Sequence, residues 1–229
     1  MAKERIRTQG MLIFLGVVLA IVFSGRIVRW DILGPADDTV EIIGFILFFL
    51  GFIFRIAARG YKQENSRQGR TLVVSGPYRY VRNPMYFGTL LIGCGVSAVI
   101  LQIWTLPVFL IVYCAIYFPQ VAKEEKLLLQ EFGEEYKNYC LQTPAYFPKV
   151  ICLTQIKRCL AVKTEWIKKE QVSFILVFLF LAAIETWEDV SCNGWAEAKK
   201  EFLIFALIFA VYILVLRYLT TKGGKNDIN

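Results

Sequence analysis

Apolar stretches close to the length that crosses a bilayer recur along this chain, and their recurrence limits the fold more than any other feature. A hydrocarbon core about 30 Å thick takes roughly 20 apolar residues at helical rise. Met11 to Val28, Val40 to Ala58, Met85 to Ile103, Trp104 to Val121, Val172 to Trp187 and Phe202 to Leu219 all come near that length. The expectation is an all-α, polytopic integral membrane protein of about six transmembrane helices. Composition agrees: 56% of the 229 residues are hydrophobic, 15% are aromatic and the mean hydropathy is +0.50. Such values belong in a bilayer.

Orientation follows from lysine and arginine, which concentrate on cytoplasmic loops. Lys3, Arg5 and Arg7 precede the first stretch, Arg55 to Arg82 is rich in arginine, and Lys123 to Lys169 is rich in lysine. The alternate loops carry Asp31, Asp37, Asp38, Glu41, Glu185, Glu188 and Asp189. Both termini and the two long basic segments are therefore expected in the cytoplasm, the chain residing in the cell membrane. The first stretch does not read as a signal peptide: it outruns an ordinary apolar region, lacks a small-residue cleavage site, and ends among Arg26 and Arg29.

Several chemistries are excluded. With no histidine in the chain, most zinc and iron ligand sets and every histidine-based nucleophile are absent. The six cysteines form no CxxC pair and read as packing residues, so no metal is expected. The net charge of +7 sits beside apolar runs, which points to anionic lipid headgroups and away from nucleic acid.

Polar detail gathers in two segments. In Gln63 to Gly88, QENSRQGRTLVVSGPYRYVRNPMYFG, Asn83 before Pro84 is a good helix start, because Asn caps free amides and Pro fits the first turn. The start leaves a partial positive charge near Arg79 and Arg82, a favourable place for a carboxylate or phosphate. Positive-inside anchoring also accounts for those arginines, and an interfacial aromatic belt also accounts for Tyr78, Tyr80 and Tyr86. In the second segment, Gln120 to Pro148, Gln120 and Glu124 are four apart and share a helix face, while Glu125 points about 100° away. A glutamate at membrane depth is costly unless paired or functional, so Glu124 is the foremost candidate; Glu131, Glu134 and Glu135 read as solvated. Beyond Pro148, Ile156, Cys159, Leu160, Trp166 and Ile167 among lysines suggest an interfacial helix.

The pattern LVxSGPYxYxRNPxYxG, followed by EExLLxxEFGxEYxxY and prolines, resembles the isoprenylcysteine carboxyl methyltransferase family and the related phospholipid methyltransferases. The resemblance covers roughly Gln63 to Pro148. It implies a methyltransferase using S-adenosylmethionine on a lipophilic, membrane-embedded acceptor, with carboxyl O-methylation first. A phospholipid or other lipid amine is the alternative, and a non-enzymatic scaffold or a nicotinamide-dependent membrane reductase are further readings. The resemblance implies cofactor contact by Gln63, Arg70, Thr71, Leu72, Val73, Tyr78, Asn83, Pro84, Met85, Tyr86 and Glu124. It puts Gln120 on the acceptor side, where eukaryotic members carry arginine; they also carry histidine in place of Asn83. No general base is assigned. The implied organisation is two helices in 1–58, a methyltransferase-like core in 59–150, and an interfacial helix with two further spans in 151–229.

Overall fold

The computed structural model describes residues 35–100, 104–149, 159–167, 174–175, 177–179, 181–183, 190 and 195–219. They include four long helices: α1, Pro35–Asn65; α2, Pro84–Ile100; α3, Thr105–Gln142; and α4, Trp195–Leu219. Two short 3-10 turns, Arg67–Gly69 and Gly76–Arg79, lie between α1 and α2. No strand occurs among the described residues, in keeping with the all-α expectation. Thr39–Asn65 and Thr105–Gln142 are long and apolar enough to cross a membrane, and Pro84–Val99 and Phe202–Tyr218 are shorter apolar helices. The expected span Met11 to Val28 lies outside the described residues, as does part of Val172 to Trp187.

α1 is the central element. One of its faces is cut flat for α2: a Cβ added to Gly51 would lie 2.6 Å from the Gly88 carbonyl, and one added to Gly95 would lie 2.5 Å from the Gly44 carbonyl. Glycine at both levels lets two antiparallel backbones approach where any side chain would hold them apart. Its other face is aromatic. Phe48, Phe49 and Phe52 meet Phe174, and Phe49 stacks on Tyr212 of α4 at 4.7 Å. Offset and edge-to-face rings fill volume with little rotamer loss and add about 0.5–1.5 kcal/mol per pair beyond area burial. This cluster joins the C-terminal part of the chain to α1.

α3 runs on from its apolar half into the charged segment, so residues 122–140 continue the same helix. Helical geometry breaks once, at Gly133, with φ 53° and ψ −122°. The bend turns the last residues of α3 back over the α1–α2 connection. Backbone bonds then tie residues 143–149 to that connection: Arg82 N–H donates to the Pro144 carbonyl at 2.8 Å and Lys149 N–H to the Tyr80 carbonyl at 3.0 Å.

The cysteine reading needs one correction. Cys94, Cys114 and Cys140 are free, but Cys159 is disulfide-bonded. Residues 159–167 also differ from the headgroup-facing helix expected of them: Cys159, Leu160, Val162 and Trp166 are buried against protein. Their apolar side meets α1 before it can meet lipid.

Candidate functional site

A cavity of about 280 Å³ opens at the end of the bundle where α1 finishes, α2 begins and α3 bends. Its size falls near the lower end of the range for small-molecule sites, about 300–1,000 Å³. Each element supplies a different chemistry. α1 contributes Arg55 and Lys62; the connection contributes Ser66, Gly69, Thr71, Leu72, Val73, Tyr78 and Arg82. The start of α2 brings Asn83, Pro84, Met85, Tyr86 and Thr89, and α3 closes the space with Glu124, Leu128, Glu131, Phe132, Tyr136 and Tyr139.

The α2 start falls where the Asn83–Pro84 signal puts it. The Asn83 carbonyl accepts the N–H groups of Tyr86 and Phe87, each at 3.1 Å, which begins the helix. The side chain is spent elsewhere: its amide donates to Glu125 Oε1 at 3.1 Å and to the Ala145 carbonyl at 3.1 Å. Arg82 Nε lies 3.2 Å from Glu125 Oε1, and its guanidinium donates to Oε2 at 3.3 Å. Glu125 is thus the anchor that joins α3 to the helix start.

Glu124 does something different. Its Oε1 accepts the Tyr86 hydroxyl at 2.7 Å and the Gln120 amide at 3.2 Å, and the carboxylate lies on the cavity wall. Tyr86 is itself placed from both sides. Its carbonyl accepts the Tyr113 hydroxyl at 2.7 Å, and its ring meets Tyr117 edge-on at 5.4 Å. A short apolar cleft of about 90 Å³ begins on the other side of Asn83 and Tyr86, lined by Leu90, Leu110, Phe118 and Phe147 among others. Two residues therefore separate a polar cavity from an apolar one.

Burial raises the phenol pKa of Tyr136 and Tyr139 above the ordinary 10.0, and Glu125 raises both further. Both stay protonated through the physiological range and do not serve as proton acceptors. Tyr139 donates to the Tyr78 carbonyl at 2.6 Å, which fastens the bent end of α3 to the Gly76–Arg79 turn.

Of the residues singled out in the sequence, the structure gathers Thr71, Leu72, Val73, Tyr78, Asn83, Pro84, Met85, Tyr86 and Glu124 around one cavity. Gln63 and Arg70 are exposed and lie off its wall, while Lys62 and Ser66 line it instead. Gln120 is also off the wall and reaches it only through Glu124. Glu131, read as merely solvated, stands at the rim. Sequence reasoning missed Arg55, Leu128, Phe132, Tyr136 and Tyr139. An arginine inside an apolar helix was a usable signal, and Leu128 and Phe132 continue the four-residue stripe that starts at Gln120.

Residues 40–135 match the phospholipid methyltransferase family. A cobalt-zinc-cadmium resistance protein of Cupriavidus metallidurans is 31% identical over 135 residues, 58% of this chain and 59% of that protein. The protein-S-isoprenylcysteine O-methyltransferase of Dictyostelium discoideum is 30% identical over 77 residues, 34% of this chain and 32% of the relative. A mouse Delta(14)-sterol reductase is 34% identical over 83 residues, 33% of this chain and 18% of the reductase. The chain thus spans less than two thirds of each of these relatives. No solved structure matches it. Among the described residues no cluster of His, Cys, Asp and Glu could hold a metal ion.

Proposed function

We propose that the chain is a membrane methyltransferase that takes S-adenosylmethionine in the cavity between α1, α2 and α3 and methylates a lipophilic acceptor. The observation that carries this reading is Glu124, a carboxylate held on the cavity wall by Tyr86 and Gln120 at the start of α2. The donor set suits the cofactor. Glu124 meets an ammonium; the α2 start or Lys62, both on the wall, meets a carboxylate; Leu72, Val73, Tyr78 and Tyr86 offer apolar and aromatic walls for an adenine. When bound, S-adenosylmethionine supplies a methyl group on a sulfonium. The residues then orient and exclude water, and positioning accounts for most of the rate.

The apolar cleft behind Asn83 and Tyr86 suits the tail of an acceptor whose head meets the cavity. A lipophilic carboxylate comes first, supported by the partial likeness to the isoprenylcysteine methyltransferase; such an acceptor is already a nucleophile and needs no base. A lipid amine is the second reading, supported by the match of residues 40–135 to the phospholipid methyltransferase family. It must lose a proton, to Glu124, to another tyrosine of the wall or to water; Tyr136 and Tyr139, held protonated by burial, do not take it.

Replacing Glu124 with Gln keeps the shape and removes one charge-assisted contact, worth about 1.5–3 kcal/mol. Affinity for S-adenosylmethionine, measured by equilibrium binding to detergent-purified protein, is expected to fall about ten- to a hundredfold. Unchanged affinity refutes the assignment of Glu124. Binding of NADPH in place of S-adenosylmethionine would favour a reductase, the reading that the likeness to the sterol reductase supports.

A further inference from the structure

Residues 159–167 lie beyond the matched core, and four contacts press them onto the last turns of α1. Gly60 is buried, and a Cβ there would lie 2.1 Å from Cδ2 of Trp166, so the indole lies flush on the helix backbone. Trp166 Nε1 donates to Glu64 Oε1 at 2.7 Å. Lys163 donates to Oε2 of the same carboxylate, and its ammonium lies 5.4 Å from the indole centre. Tyr61 meets the indole edge-on at 6.4 Å.

Tyr61 carries the contact onward. Its hydroxyl shares a hydrogen bond with Ser75 Oγ at 2.8 Å, and its ring lies where a Cβ on Gly76 would stand, 2.7 Å from Cε2. Gly76 has φ +59°, a conformation that glycine adopts readily, and it opens the Gly76–Arg79 turn that carries Tyr78. Tyr78 lines the cavity, as do Lys62 on the same end of α1 and Ser66 just after it. A continuous set of packed and bonded groups therefore runs from Trp166 to one wall of the cavity.

We propose that Trp166 is a positioning residue: the segment after the core braces the α1 end and, through Tyr61, the Gly76–Arg79 turn, so that the cofactor wall is formed only with the C-terminal part docked. The alternative is that Trp166 only covers apolar surface. A plain packing residue would contribute to stability everywhere at once; a brace acts on two segments. The proposal rests on the cofactor reading for its functional consequence but not for its structural one.

The test is backbone hydrogen exchange on ligand-free full-length protein in detergent, comparing wild type, Trp166→Phe and Trp166→Ala, followed by equilibrium binding of S-adenosylmethionine. In Trp166→Ala, exchange is expected to accelerate about tenfold or more at Tyr61 to Ser66 and Gly76 to Tyr80, with Tyr86 to Val99 unchanged. Cofactor affinity should drop about tenfold, and less in Trp166→Phe, which keeps a ring and loses only the bond to Glu64. Unchanged exchange in the two segments overturns the brace, whatever the binding result. Faster exchange with unaltered affinity overturns the positioning role. If Trp166→Ala exchanges faster throughout, Trp166→Phe decides: acceleration confined to the two segments supports the brace and its absence refutes it. Failure of the wild type to bind S-adenosylmethionine sinks the cofactor reading alone, because the exchange comparison uses no ligand.

Discussion

Glu124 and Glu125 are neighbours with opposite duties, and the difference comes from where an α-helix points consecutive side chains. Glu124 faces the cavity and holds Tyr86; Glu125 faces Arg82 and Asn83 with both ion-pair side chains largely out of solvent, 14% and 23% exposed. Removing one member of such a pair leaves the other poorly solvated. Glu125→Ala is expected to lower stability by about 2 kcal/mol, discounted from a fully buried pair for the remaining exposure. Thermal unfolding in detergent checks it, and Glu124→Gln should shift the midpoint much less while losing more cofactor affinity. Equal loss of stability in both variants would contradict this division of labour. The place of Glu124 on an inward face was legible, because Gln120 four residues earlier marks a polar stripe. The duty of Glu125 was not: its partners stand 43 and 42 residues away in sequence, and nothing local names them.

At the scale of elements, the two glycine levels between α1 and α2 set the distance on which the cavity depends. Arg55 and Thr89 meet across this interface, with Arg55 donating to Thr89 Oγ1 at 2.8 Å, so a change in helix spacing moves two cavity residues. A Cβ on Gly88 would lie 2.7 Å from the Gly51 carbonyl and 2.8 Å from Arg55 Cγ. Backbone on one side cannot yield, so Gly88→Ala is expected to cost about 1–3 kcal/mol and to weaken cofactor binding as well. Thermal unfolding and equilibrium binding read the two effects, and a fully stable, fully binding Gly88→Ala protein would show that the interface tolerates a wider spacing. The helix start at Asn83–Pro84 was readable from local preference alone. The α1–α2 pairing was less so, since glycine in an apolar run is common in membrane helices whatever it faces. The break at Gly133 was hidden inside a run of helix-favouring residues, where only the φ of 53° shows that the chain turns.

For the molecule as a whole, the likeness to the phospholipid methyltransferase family was legible because the residues that carry it sit in two local motifs, whereas the docking of residues 159–167 depends on Gly60, which offers no side chain to announce a contact. Sidedness is the remaining global property. The cavity gathers Arg55, Lys62 and Arg82, and the arginine- and lysine-rich segments that flank it are those that the positive-inside rule assigns to the cytoplasm. α1 begins at the opposite end with Asp37, Asp38 and Glu41. The expectation is that Asp38 faces out and the cavity end faces in. Leu141 is 86% exposed near the end of α3, which makes it a suitable reporter for the cavity side. With the chain's other free cysteines replaced by alanine, a membrane-impermeant thiol reagent should label Asp38→Cys in right-side-out vesicles and Leu141→Cys in inverted ones. Labelling of both from the same side would overturn the proposed orientation of α1 against α3, and the reverse pattern would put the cavity on the outer face, away from the cytoplasmic supply of S-adenosylmethionine on which the proposed reaction draws.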